Sequence, residues 1–227
     1  MLKKLLKYSC FSLVLLIAAC APRPSIVAPP VYKGMELSLT DVIAKAGGDT
    51  EAIKAIADIT IEKNGEPYDS VNASALIKRP GMVHMRIYKF GILARDFIVK
   101  GREMHVLSGG NSDNLKQLGK DFYNAVFWWE DMTDAVMSGK GSEYIIRAKN
   151  KEIHLDRATL MPVRQVLAAM DKEMEITYDA PQRSEDGSWY PSTIRIHLND
   201  FRFTIRIKKL LRNPSMGGAD FKVPAEG

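Results

Sequence analysis

The chain runs to 227 residues, with 32 Lys and Arg against 27 Asp and Glu, a formal charge of +5. Lys3, Lys4 and Lys7 open a segment that reads as a discarded leader, and without these three the charge is +2, too little to give a basic footprint for nucleic acid. The two cysteines, Cys10 and Cys20, stand near the start, so the rest of the chain can form neither a disulfide framework nor a thiolate metal site and must be held by its core alone.

Behind Lys3-Lys4-Leu5-Leu6-Lys7 comes an apolar run from Phe11 to Ala19. A basic start, a short apolar middle of about 7 to 15 residues and small residues at the end make a secretory signal peptide over 1–19, shorter than the roughly 20 residues of a permanent span. Its end, Leu16-Ile17-Ala18-Ala19-Cys20, resembles the lipobox of bacterial lipoproteins. That resemblance implies cleavage before Cys20, a diacylglycerol on its thiol and an acylated amino group. The result would be a membrane anchor, since each buried CH₂ contributes about 0.8 kcal/mol. The other reading is an ordinary signal peptide with a cysteine there by chance. The stretch 20–35 carries Pro22, Pro24, Pro29 and Pro30 and is expected to be an extended tether of roughly 40 Å, at about 3.1 Å per residue. By resemblance to well-studied sorting signals, an Asp at position 21 would retain a lipoprotein at the inner membrane, and this chain has Ala21 there. The expected location is therefore the outer membrane, with a domain over 36–227 facing the periplasm.

Leu37 to Ala57 reads as helical, with Ser38 or Thr40 as the cap before Asp41-Val42-Ile43-Ala44-Lys45 and Asp49 or Thr50 as a second cap after Gly47-Gly48. Two short helices, or one kinked at the glycines, would bury positions 42, 43, 46, 53 and 56. From Asp58 the period changes to two, with a turn signal every 8 to 12 residues. Strands are predicted over 59–63, 71–78, 82–90, 94–100 and 103–107, punctuated by Asn64-Gly65, Arg79-Pro80-Gly81, Phe90-Gly91 and Gly101. No helical crossover separates them, so the sheet must be antiparallel and one-sided.

After Gly109-Gly110 and a polar stretch, Asp121 to Ser138 reads as the longest helix, with Phe122, Val126, Trp129, Met132 and Val136 on one stripe and Phe127 and Trp128 beside it. Strands resume over 144–148, 151–156, 163–169, 173–178, 193–198 and 201–208. The last alternates strictly, Phe201, Phe203, Ile205 and Ile207 against Arg202, Thr204, Arg206 and Lys208. About eleven strands exceed a comfortable flat sheet. The expected fold is mainly β (α+β), an antiparallel half-open barrel of about eleven strands with an N-terminal helix and a helical plug.

The segment Ile153-His154-Leu155-Asp156-Arg157-Ala158-Thr159-Leu160-Met161-Pro162-Val163-Arg164, with Ile176-Thr177-Tyr178-Asp179, resembles the LolA/LolB superfamily. The matching features are Leu155-Asp156, the Leu160-Met161-Pro162 turn, basic Arg164 on the next strand and Tyr178 closing another. Tyr190-Pro191-Ser192-Thr193-Ile194 and Phe221-Lys222-Val223-Pro224 are similar to poorly characterised outer-membrane lipoproteins of that shape. The resemblance covers about Leu37 to Pro224. It implies an incompletely closed barrel that carries lipoprotein acyl chains, and Cys20 favours the lipid-anchored receptor arrangement over the soluble carrier. The receptor also uses an apolar residue on a protruding hairpin. Ile92 and Leu93, after Phe90-Gly91, are the candidates for such contact with membrane or cargo; alternatively they begin the next strand and pack inward.

No P-loop, G-x-S-x-G or H-E-x-x-H occurs, and His84, His105, His154 and His197 are scattered over separate strands. No catalytic residue, metal site or cofactor is expected, and an enzyme is not the reading. Two hypotheses remain. In the first, the interior receives the acyl chain of a lipid or lipoprotein, lined by Met85, Ile87, Phe97, Met104, Val106, Trp128, Trp129, Ile176 and Phe203. In the second, the interior is packed solid and the outer surface binds an envelope protein partner in a structural or assembly role. A continuous interior volume of about 300 Å³ or more would favour the first.

Overall fold

The computed structural model describes residues 28–32, 36–101, 103–110, 113–132, 134–169 and 172–223. The expected signal peptide 1–19, Cys20 and most of the tether lie outside these residues.

Helix α1 spans Leu39–Ile43. Ser38 caps it reciprocally, its hydroxyl accepting from the Asp41 amide at 3.2 Å while the Asp41 carboxylate accepts from the Ser38 amide at 3.1 Å. A π-helical turn follows over Ala44–Gly48 and breaks at Gly47, whose φ of 119° suits glycine. The expected second helix is absent: strand β1 already occupies Ala52–Lys63. Ile53 and Ile56 are three apart, as on a helix, yet Ile53, Ala55 and Ala57 are buried in alternation while Ile56 is exposed. Two neighbouring strands decide between these periods.

β1 is followed by β2 (Glu66–Lys78), β3 (Met82–Lys89), β4 (Ile92–Lys100) and β5 (Glu103–Ser108), all antiparallel. Helix α2 then covers Asp113–Val126, earlier than the sequence stripe suggested. Residues 127–132, 134 and 135 lie in turns and bends, and Val136, expected on the helix, is exposed at the start of β6 (Val136–Lys140). The meander continues through β7 (Glu143–Ala148), β8 (Lys151–Asp156), β9 (Pro162–Ala169) and β10 (Lys172–Tyr178). A small separate hairpin pairs β11 (Pro181–Arg183) with β12 (Trp189–Pro191), and β13 (Thr193–Leu198) and β14 (Phe201–Arg212) finish the sheet.

Twelve strands form one antiparallel sheet in the order β5-β4-β3-β2-β1-β14-β13-β10-β9-β8-β7-β6. The strand beyond the expected eleven is β6. The end strands β5 and β6 are not paired with each other, so the sheet is open rather than a closed barrel. It is also strongly curved. On α2, Gly119 packs against Val99 and Phe97 of β4, while the Ala125 carbonyl accepts from Gln165 of β9 at 2.9 Å. Those contacts are six helical residues apart, about 9 Å. β4 and β9 are seven strand positions apart, roughly 34 Å in a flat sheet at about 4.8 Å per strand. Only a sheet bent around the helix satisfies both. Charged residues cover the convex face in cross-strand pairs such as Lys208 with Asp58 at 2.7 Å and Arg164 with Glu175 at 2.6 Å.

Candidate functional site: an apolar cavity beneath the aromatic turn

The concave face holds a cavity of about 170 Å³. Along β1 it is walled by Ile53, Ala55, Ala57, Ile59 and Ile61, five successive inward positions spanning nearly 27 Å at about 3.4 Å per residue. Its floor is a block of alanines. Ala55 pairs directly with Ala75, and Ala57 with Ala73, and all four line the space. Alanine is depleted in strands because it offers little side chain to pack, so four together leave a hollow where larger residues would meet the helix. Phe122, Ala125 and Val126 of α2 and Trp128 and Trp129 of the following turn form the roof. The two indoles meet edge to face at 5.4 Å.

The roof is tied down at its polar end. The Glu130 carboxylate accepts from the Tyr123 hydroxyl at 2.7 Å and from Arg79 Nε, and Arg79 also reaches Glu51 at 3.1 Å. Lys151, buried on β8, donates to the carbonyls of Trp128, at 3.1 Å, and Glu130. Burial pushes the Lys151 ammonium pKa down, against the opposing pull of Asp131 and Glu130. Burial also raises the Tyr123 phenol, with Glu130 adding to the shift. Burial raises the Tyr178 phenol against the hydrogen bond it accepts from Gln165, and it donates to the Ala125 carbonyl at 3.2 Å. Two buried polar atoms have no partner among the described residues: Trp129 Nε1, in the cavity wall, and Gln165 Oε1.

Of the nine candidate lining residues, Met85, Ile87, Trp128, Trp129 and Phe203 border the cavity. Phe97 and Ile176 are fully buried in the same hydrophobic cluster, with Met104 and Val106 packed against it, and none of these four reaches the open space. The alanine floor has only a faint sequence signal, Ala55-Ile56-Ala57 and Ala73-Ser74-Ala75 at matching places on two neighbouring strands. Arg212 also lines the cavity, beyond the expected end of the last strand.

Ile92 and Leu93 do not pack inward. Ile92 is 73 % exposed and Leu93 is exposed at the tip of the β3–β4 hairpin, next to Phe90, which is 91 % exposed. The turn residues Phe90 and Gly91 both have positive φ, 52° and 76°. A bulky residue in the left-handed region costs about 1–2 kcal/mol. The β1–β2 turn has the same pair of conformations but uses Asn64-Gly65, which suits it.

The histidines make local pairs. His84 bridges Asp96 at 2.7 Å and the Asp220 carbonyl at 2.6 Å, and His154 bridges Glu143 and Glu152. Among the described residues no group of three or more His, Cys, Asp or Glu could hold a metal ion, and no helix is long and apolar enough to cross a membrane.

No protein-family model matches the sequence, and no curated protein does. Solved structures do. A LolA superfamily protein from Nitrosomonas europaea superposes with a TM-score of 0.59 at 10 % identity, covering 83 % of this chain and 99 % of that one. A DUF1329 family protein from Desulfovibrio piger gives 0.58 at 13 % identity, over 86 % and 98 % of the two chains. A Vibrio parahaemolyticus domain named for outer-membrane lipoprotein sorting gives 0.51 at 10 % identity, over 79 % and 94 %. The chain therefore has a LolA/LolB-like fold.

Proposed function

We propose that this protein is a lipid-anchored envelope protein that takes an acyl chain of a lipid or lipoprotein into the space between its curved sheet and its aromatic turn. The observation that carries the reading is the alanine floor, because a sheet that only had to pack against its helix would fill those four positions. A cavity of about 170 Å³ is below the 300 Å³ of an ordinary ligand site. It is comparable to an apolar cavity of about 150 Å³ that stays dry and accepts benzene. It holds a short piece of chain as it stands, and a longer one once the Trp128-Trp129 turn moves outward. Glu130 and Lys151 fasten the polar side of that turn and Trp128 also packs among Val42, Ile146 and Leu160, so an outward movement releases both kinds of contact.

The expected signal peptide, Cys20 and the tether belong to the same reading: acylated Cys20 holds the domain on the periplasmic side of the outer membrane. The hairpin tip then faces the lipid surface with Phe90, Ile92 and Leu93. Exposure of the tip, together with backbone strain accepted at Phe90, supports a contact role over a packing one. The scaffold reading, with an envelope protein partner on the outer surface, lacks a comparable explanation for the alanine floor.

Native mass spectrometry of the full chain released from membranes tests the proposal. Bound species with acyl-chain masses are expected, and they should disappear when Ala55 and Ala75 are both replaced by Leu. A reproducibly empty wild-type protein that also fails to take up fluorescent fatty acid would return the interior to a structural role.

A further inference from the structure

The cavity ends on a charge, and a break in the regularity of β14 puts it there. Strict alternation past Ile207 would send Arg212 to the convex face with Arg206. Instead Lys208 is an extra residue: Ala57 pairs with Ile207, Ile56 with Lys209, Ala55 with Leu210 and Ile53 with Arg212. Directly opposed residues of an antiparallel pair share a face, and bulges commonly re-aim a side chain in this way. Arg212 thus lies on the concave face beside Ile53, in the cavity wall.

Its guanidinium is held from one side only. Thr50, 1 % exposed, accepts from Nε at 2.9 Å and from Nη2 at 2.5 Å, and Asp49 accepts from Nη2 at 2.7 Å. Gly47 completes the cradle, where a Cβ would sit 3.1 Å from Nη2. The Asp49 side chain is 76 % exposed, so water screens its charge and it orients the guanidinium more than it neutralises it. Nη1 has no protein acceptor among the described residues and, on a side chain 27 % exposed, is left to water, while the Trp129 indole N–H in the same cavity wall is buried without a partner. A pure hydrocarbon would satisfy neither donor.

We propose that Arg212 receives the oxyanion head of a single-chain amphiphile, a carboxylate or a phosphate, whose chain runs along β1 over the alanine floor toward Ile61 and Phe203. This rests on the reading of the cavity as an acyl-chain site and adds a head-group preference and a direction to it. Arginine suits the task because it stays charged and hydrogen-bonds oxyanions strongly.

The test uses membranes carrying the full chain and three probes with a diazirine at the tail end: a fatty acid, the matching fatty alcohol and a lysophosphatidate. The anionic probes should label the cavity wall at least about tenfold more than the alcohol, as hydrogen bonds to charged groups allow, with label concentrated near Ile61 and Phe203. The stronger of the two anionic probes identifies the head as carboxylate or phosphate. Arg212→Met should bring acid and alcohol to equal labelling, and Arg212→Lys should keep part of the preference. Equal labelling by acid and alcohol in the wild type overturns the head-group assignment while leaving an acyl-chain site in place. Cavity label from none of the probes overturns both. Should Arg212→Met fail to fold, as judged by its melting curve, the wild-type ratio of acid to alcohol decides alone.

Discussion

Two regions of the sheet, the β7–β8 pair near one end and the β1–β2 pair at its middle, are lined to opposite effect. On β7 and β8 the concave face carries Tyr144, Ile146, Ile153 and Leu155, which pack with Leu160, Val42 of α1 and Trp128 into a closed cluster. On β1 and β2 the same face carries Ala55, Ala57, Ala73 and Ala75 and remains open. Both regions belong to one antiparallel sheet, and Trp128 touches both. The fold alone does not create the hollow; side-chain size at four positions does. Packing rules broken in one region and obeyed in another are what the proposed acyl-chain site leads one to expect.

Truncation should expose the contrast most strongly. Leu155 is 0 % exposed, and Leu155→Ala is expected to cost about 2–5 kcal/mol, through lost transfer energy and the new cavity. Ile59 already borders empty space and is only partly buried, so Ile59→Ala should cost about 1 kcal/mol, because fewer contacts are there to lose. Urea unfolding of the two variants measures this, and equal losses would mean that the hollow is filled in solution. Next comes the seat of the helix. A Cβ on Gly119 would lie 2.9 Å from Val99 Cγ2, so Gly119→Ala should cost about 1–3 kcal/mol despite the better helix propensity of alanine. A stabilised variant would show that α2 sits further from β4. Filling the floor should act in the opposite sense. Ala75→Leu is expected to change stability by less than about 1 kcal/mol, because the side chain enters open space, while ligand uptake is lost.

The same contrast explains what could be read from the sequence. Alternation of the kind seen in Phe201 to Ile207 located ten of the expected strands to within five residues at each end, because one-sided burial imposes period two. β1 began earlier than expected, because Ile53 and Ile56 fit a helix as well as a strand until β2 and β14 pair on either side. Helix α2 lies earlier than expected because its first turns, 113–120, carry only Leu115 and Leu118 as apolar residues and contain Gly119, a residue explained by the nearness of Val99. The aromatic run 122–129 was legible as a cover for the sheet, but Trp128 and Trp129 sit on a turn rather than on the helix. The hollow was invisible because it is made of missing atoms, and Arg212 because a single bulged residue reverses the parity that alternation predicts.

The smallest expected effect lies at the hairpin tips, where the molecule again builds one feature twice. Lys63-Asn64-Gly65-Glu66 and Lys89-Phe90-Gly91-Ile92 both turn in two residues of positive φ, and only the first uses the residue that conformation favours. Phe90 is 91 % exposed, so its ring gains little from packing to offset the strain. Phe90→Asn should therefore stabilise the fold, by up to about 1 kcal/mol, through relief of the left-handed backbone. If the tip touches lipid, the same substitution should weaken sedimentation of the released domain with anionic vesicles, and Ile92→Asn should weaken it without the gain in stability. A Phe90→Asn protein that melts lower would show that the ring packs against the sheet, and one that melts higher yet sediments unchanged would remove the tip from membrane contact. The pairing of gained stability with lost contact separates a residue kept for packing from one kept for what it meets outside the molecule.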